Sequence, residues 1–126
     1  MEDVGSTTAP QETRSGLHRL MSARVDDTSI FDTEGKKLGT LHSVHIDRAS
    51  GQIEYAVLSV GGFLGLGQSF HPVPFRALNV NEERGGYTVN IGKQLLQGSP
   101  SYRPDTAPVW DDNYARRISD YFRGAV

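Results

Sequence analysis

The octapeptide IEYAVLSV, residues 53–60, carries no formal charge after Glu54. Ile53, Tyr55 and Val57 occupy one phase of a two-residue period, and Ala56, Leu58 and Val60 occupy the other. Apolar side chains on both phases predict a strand covered on both faces. Such a strand lies inside a sheet, so the neighbouring segments must supply its partners.

Toward the N-terminus, Asp47-Arg48-Ala49-Ser50-Gly51 reads as a turn. The segment 37–47 before it places Leu38, Leu41, Val44 and Ile46 at a spacing that slips from two to three, which predicts a β-bulge around His42-Ser43. A helix there is disfavoured by Gly39 and Thr40 inside the segment and by the branched residues of Ser-Val-His-Ile. Ser29-Ile30-Phe31 leads into Asp32-Thr33-Glu34-Gly35, a turn-forming acid and a permissive glycine, so a hairpin is expected. Leu17, Leu20 and Met21 fit either one helical turn or a first strand. Residues 1–16 are polar and show no apolar period.

Toward the C-terminus, 61–67 is a glycine-dense bend, and 69–73 resumes extended structure before Pro72 and Pro74 forbid regular central pairing. That segment is expected at an edge or a closure point. Arg76-Ala77-Leu78 makes a short turn, Val80 resumes a strand, 81–86 turns again, and Tyr87, Val89 and Ile91 alternate. The expected fold is mainly β: a small barrel of five to six short antiparallel strands with a C-terminal helix. Gly92-Lys93-Gln94-Leu95-Leu96-Gln97 suits a short helix ended by Gly98-Ser99-Pro100. After a linker to Pro108, Tyr114, Ile118, Tyr121 and Phe122 fall on one helical face over 111–122, capped by Asp111 or Asp112. The expected division is a flexible N-terminal arm at 1–16, a barrel at 17–97, and a linker with an amphipathic helix at 98–126.

A chain of 126 residues has room for one domain. Cysteine is absent, which excludes disulfide scaffolds, thiolate metal sites and cysteine nucleophiles. A net charge of −2 lacks the positive excess of a dedicated phosphate-backbone binder, so nucleic acid is a disfavoured partner. The longest apolar stretch, 56–66, is broken by Ser59, Gly61, Gly62 and Gly65, so no membrane span is expected. The N-terminus lacks the basic-then-apolar order of a secretory signal, and a cytoplasmic setting is expected.

Several segments together resemble the PRC-barrel family: Asp32-Thr33-Glu34-Gly35-Lys36-Lys37-Leu38-Gly39, Asp47 with Gly51, the run from Tyr55 through Gly67, and Val73-Pro74-Phe75. That family includes the cytoplasmic barrel of the photosynthetic reaction-centre H subunit, the C-terminal barrel of a ribosome maturation factor, and small stand-alone proteins. The tail Trp110-Asp111-Asp112-Asn113-Tyr114 with Arg116-Arg117-Ile118 is similar to tails of the stand-alone members. Neither a membrane helix before the barrel, as in an H subunit, nor an N-terminal domain, as in the maturation factor, is expected from these residues. The resemblance implies a fold more firmly than a role, since one barrel hosts unrelated functions.

The glycine bend 61–67 superficially resembles a phosphate-cradling loop, but no helix of useful length follows it and no Lys-Ser or Lys-Thr pair closes it. His42, His45 and His71 could form a three-imidazole metal site only if the bulge turned His42 and His45 to one face, so ordinary surface histidines are expected. The acid pairs Asp26-Asp27, Glu82-Glu83 and Asp111-Asp112 read as solvated turn and cap residues. Arg116, Arg117 and Arg123 give the tail a basic aspect that reads as a solvated face. No Gly-x-Ser-x-Gly occurs. The expectation is therefore a non-catalytic interaction module with no cofactor. Its partner is a second copy of itself or a larger protein assembly, contacted through Phe63, Leu64, Trp110, Tyr114, Ile118 and Tyr121. The competing reading of these aromatic residues is that they cover their own barrel. The rival class is a small-ligand or enzymatic barrel with a pocket at the glycine bend, near His71 and Tyr55.

Overall fold

A computed structural model describes residues 19–61 and 67–126. The arm assigned to 1–16 and the tip residues Phe63 and Leu64 lie outside the described residues. Six strands form one sheet: β1 (Leu20–Phe31), β2 (Lys37–Asp47), β3 (Ile53–Val60), β4 (Ser69–Pro74), β5 (Leu78–Asn81) and β6 (Gly86–Val89). Their spatial order is β4-β3-β2-β1-β6-β5. Two helices follow, α1 (Lys93–Gln97) and α2 (Asp112–Tyr121).

The turns form for the reasons their sequences suggest. Asp32 Oδ1 accepts from the backbone N–H groups of Glu34 and Lys36, both at 2.9 Å, which closes the β1–β2 hairpin. Asp47 Oδ1 does the same for Ala49 at 2.8 Å and Ser50 at 2.9 Å, closing the β2–β3 turn. Arg84 ties two turns together: its guanidinium lies 4.2 Å from the Phe31 ring centroid and donates to the Gly35 carbonyl at 2.8 Å. In β2 the register passes from Leu41↔Leu58 to Ser43↔Val57, so His42 is the bulged residue. Leu20 and Met21 belong to β1, which settles the open choice in favour of a strand.

Two expectations need correction. The strands are not all antiparallel, because β1 and β6 pair in parallel over Ser29–Phe31, and β1 is long, at 12 residues. Nor is the sheet closed, since β4 and β5 occupy its two edges. The reason lies in β4. Phe70 turns its backbone groups outward, exchanging bonds of 2.8 and 3.0 Å with Tyr102. Alternation then turns residues 72 and 74 outward too, and both are prolines without an N–H. The outer side of β4 cannot continue a ladder. The chain crosses the gap between the edges through a single 3₁₀ turn, Phe75–Ala77.

The core fills both sides of β3, where Ala56, Val57 and Leu58 are fully buried. Ile30, Leu41, Val44, Val73 and Val89 join a cluster that also takes Leu96 from α1 and Ala115, Ile118 and Phe122 from the α2 end of the chain. Burying Ile118 and Phe122 contributes about 2–3 kcal/mol each, so the tail helix belongs to the core. Among the described residues no helix is long and apolar enough to cross a membrane.

Two glycines permit the closest strand contacts. A Cβ on Gly39 would collide with the Ser59 carbonyl in β3, and one on Gly86 would collide with the Ser29 carbonyl in β1. Backbone cannot yield as a flexible side chain does. Gly39→Ala and Gly86→Ala should each lower unfolding free energy by about 1–3 kcal/mol in urea denaturation, whereas Gly92→Ala, which meets nothing within 4 Å, should be near neutral.

Candidate functional site: the tail-covered face and its cleft

Ladder partners share a face, so His45, Tyr55 and Pro74 stand in one row across β2, β3 and β4. Val57, Pro72 and Phe70 extend the same face by alternation. The chain rounds the β4 edge at Tyr102, and Trp110 and α2 lie against this face. Trp110 stacks on His45 with ring centroids 3.7 Å apart and planes at 23°. It also meets Tyr55 at 5.7 Å and Tyr114 edge-on at 4.8 Å. Tyr102 packs edge-on against Phe70 at 5.5 Å.

Hydrogen bonds fix the tail at both ends. Asp111 Oδ1 accepts from the Tyr114 N–H at 2.9 Å, making Asp111 the cap of α2. The Tyr55 hydroxyl donates to the Ala115 carbonyl at 3.1 Å and also meets the Ser119 hydroxyl. Tyr121 donates to the Leu95 carbonyl at 2.8 Å, joining α2 to α1. Arg19 bridges Asp47 at 2.8 Å and Glu54 at 2.7 Å and lies 3.8 Å from Asp112. With bonds from Ser50, Arg19 and Ala49, Asp47 is held down at about 2.

Of the residues read as partner contacts, the four that are described have intramolecular surroundings. Ile118 is fully buried inside the chain. Trp110, Tyr114 and Tyr121 are half-buried against the protein's own core.

The histidines depart from the expected surface setting: His45 and His71 are buried, and His42 is half-buried. Apolar neighbours in the ladder take them inward. The bulge does bring His42 to the face that carries Phe70, with ring centroids 4.3 Å apart. Each imidazole nonetheless has a different setting. His71 lies on the opposite face of β4 from Pro72 and Pro74, with Nδ1 3.2 Å from the Ser99 hydroxyl, which itself donates to the Leu96 carbonyl at 2.6 Å. Alternation thus places His71 and Tyr55 on opposite faces of the sheet. Among the described residues no group of three His, Cys, Asp or Glu side chains could hold a metal.

Glu82 and Glu83 are exposed in the β5–β6 turn, and the side chains of Asp26 and Asp27 lie outside what is described. Two features had no clear sequence signal. One is the aromatic platform of His45 and Tyr55, whose only sign is the bulge that sets the phase of β2. The other is a cleft between the 101–108 segment and α2, built by linker residues with no period. Its walls include Ser69, Ser101, Tyr102, Arg103, Tyr114 and Arg117, and its volume is about 390 Å³. Burial, and next the neighbouring Tyr102, push the Tyr114 phenol up to about 12, so it stays a neutral donor.

These features define a class: a small mainly-β module with one edge sealed by proline and a tail folded across one face. The PRC-barrel domain family model matches residues 22–96, more than half of the chain. The chain belongs to the PRC-barrel domain family. Among curated proteins no match is found. At the level of the family, the domain suggests a protein-interaction module.

Burial lowers His45 from 6.5 to about 4, and its buried Nδ1 has no hydrogen-bond partner among the described residues. Between those values the unfolded chain takes up a proton that the folded chain refuses. Stability is therefore full above 6.5 and is lost as pH falls toward 4, with a slope approaching about 1.4 kcal/mol per pH unit. Urea denaturation across this range should show a flatter dependence in His45→Phe, which keeps a ring beneath Trp110. His71, also lowered by burial, retains its own share of the slope in that variant.

Proposed function

We propose that this protein is a non-catalytic assembly module that pairs with a second copy of itself through the outer edge of β5. The observation that carries the reading is the contrast between the two sheet edges. At β4, Tyr102 and two prolines block pairing. At β5, the Ala77 and Asn81 carbonyls accept from Asn90 and Gly85 on the β6 side. Alternation therefore turns the backbone of Val80 outward, and its side chain is 66% exposed.

An unpaired edge is a template for another strand, and two identical edges meeting antiparallel satisfy two-fold symmetry. Val80 of each copy would sit at the axis. Family membership supports the interaction role, and a cytoplasmic setting suits a cysteine-free chain that needs no oxidising compartment. A larger protein assembly offering a strand would use the same edge.

Light scattering on a size-exclusion column should give a dimer at tens of micromolar for the natural sequence. Val80→Pro removes the outward N–H and should give a monomer with unchanged far-ultraviolet circular dichroism. A natural sequence that elutes as a monomer, or a Val80→Pro variant that stays dimeric, would overturn this reading.

A further inference from the structure

The cleft beneath the tail is a candidate ligand site on chemical grounds separate from the β5 edge. Its walls carry two guanidiniums, Arg103 and Arg117, and no carboxylate. Arg117 has no ion pair or hydrogen-bond partner among the described residues. The nearby Asp120 is engaged by Arg123. Among the described residues Arg103 pairs with Asp105, at 4.0 Å and with both side chains mostly exposed, a pairing worth little. Positive charge is thus only weakly compensated where the cleft walls supply donors.

Those donors are arranged around the same space. Ser69 and Ser101 supply hydroxyls, and Tyr114 lies one helical turn from Arg117 with its phenol near the guanidinium. Thr106 closes the short turn that carries Arg103, its N–H donating to the Arg103 carbonyl at 3.0 Å. Tyr102 is held on Phe70 by two backbone hydrogen bonds and an edge-on ring contact, so one ring wall is fixed before any ligand arrives. Guanidiniums with several hydroxyls match an anion that has many acceptor oxygens and tetrahedral geometry better than a carboxylate with two. A volume of about 390 Å³ exceeds the needs of a bare phosphate and falls in the range of small-molecule pockets.

We propose that this cleft binds a phosphomonoester of small-molecule size. Arg103 and Arg117 take the phosphate, Ser69 and Ser101 add hydrogen bonds, and the Tyr102 and Tyr114 rings flank the esterified group. The site is built jointly by the β4 edge, the linker and α2, so it exists only while the tail is folded onto the sheet.

Isothermal titration with phenyl phosphate tests this on the full chain, with inorganic phosphate and benzoate as comparison probes. Phenyl phosphate should bind one per chain and at least about tenfold tighter than either comparison probe. Arg117→Ala and Arg103→Ala should each weaken it about tenfold or more. Arg117→Lys should recover part of the loss. Arg116→Ala, one residue along the helix and outside the cleft lining, should leave it unchanged. Matched circular dichroism of each variant separates lost binding from lost fold. No heat with phenyl phosphate, benzoate binding as tightly, or Arg117→Ala binding as well as the natural sequence would each overturn the proposal.

Discussion

The stack of Trp110 on His45 is the contact on which the rest of the tail depends. Offset aromatic pairs contribute about 0.5–1.5 kcal/mol beyond their area, but this one also decides where the chain goes. It brings the chain from the β4 edge onto the β2–β3–β4 face, sets Asp111 at the start of α2, and lets Ile118 and Phe122 enter the core. The cost is an imidazole kept neutral with one buried nitrogen unpartnered among the described residues. That cost is tolerable near neutral pH and grows with acid, so the same contact that organises the tail makes the fold acid-sensitive.

The covered face and the free edge are consequences of one arrangement. Tyr102 pairs with Phe70 at the outer side of β4, and the prolines two and four residues on complete the blockade. With that edge unable to pair, β5 is the terminal strand of the sheet that keeps an outward backbone free of proline, around Val80. The linker that seals β4 also forms the wall of the arginine-lined cleft. Sealing, covering and cleft formation therefore share residues, and a change in the tail would be felt in all three.

Much of the fold was legible because it is written in local chemistry. The bulge at His42 follows from a single slip in spacing, the two Asp-led turns from side chains that bond their own backbone, and the Asp111 cap from an acid ahead of an amphipathic helix. The family was legible in the order of turns and strands. What could not be read is what depends on contacts distant in sequence. The parallel β1–β6 pairing joins segments far apart in the chain, and no local pattern marks it. The prolines of β4 announced an edge, but only the Phe70–Tyr102 bridge shows which side of the strand they block. His45 and His71 looked like surface residues because histidine usually is one, and their burial depends on contacts distant in sequence, with Trp110 for His45 and Ser99 for His71. The cleft was invisible because Ser101, Arg103 and Thr106 lie in an aperiodic linker whose position is set elsewhere.

Trp110 is the sole tryptophan of the chain, so its emission reports the stack directly. Urea unfolding followed by tryptophan emission and by far-ultraviolet circular dichroism on the same samples asks whether tail and sheet are one cooperative unit. Coincident transitions with a single midpoint are the expected result. A shift of Trp110 emission to that of solvent-exposed indole at urea concentrations where the sheet signal is still intact would contradict it.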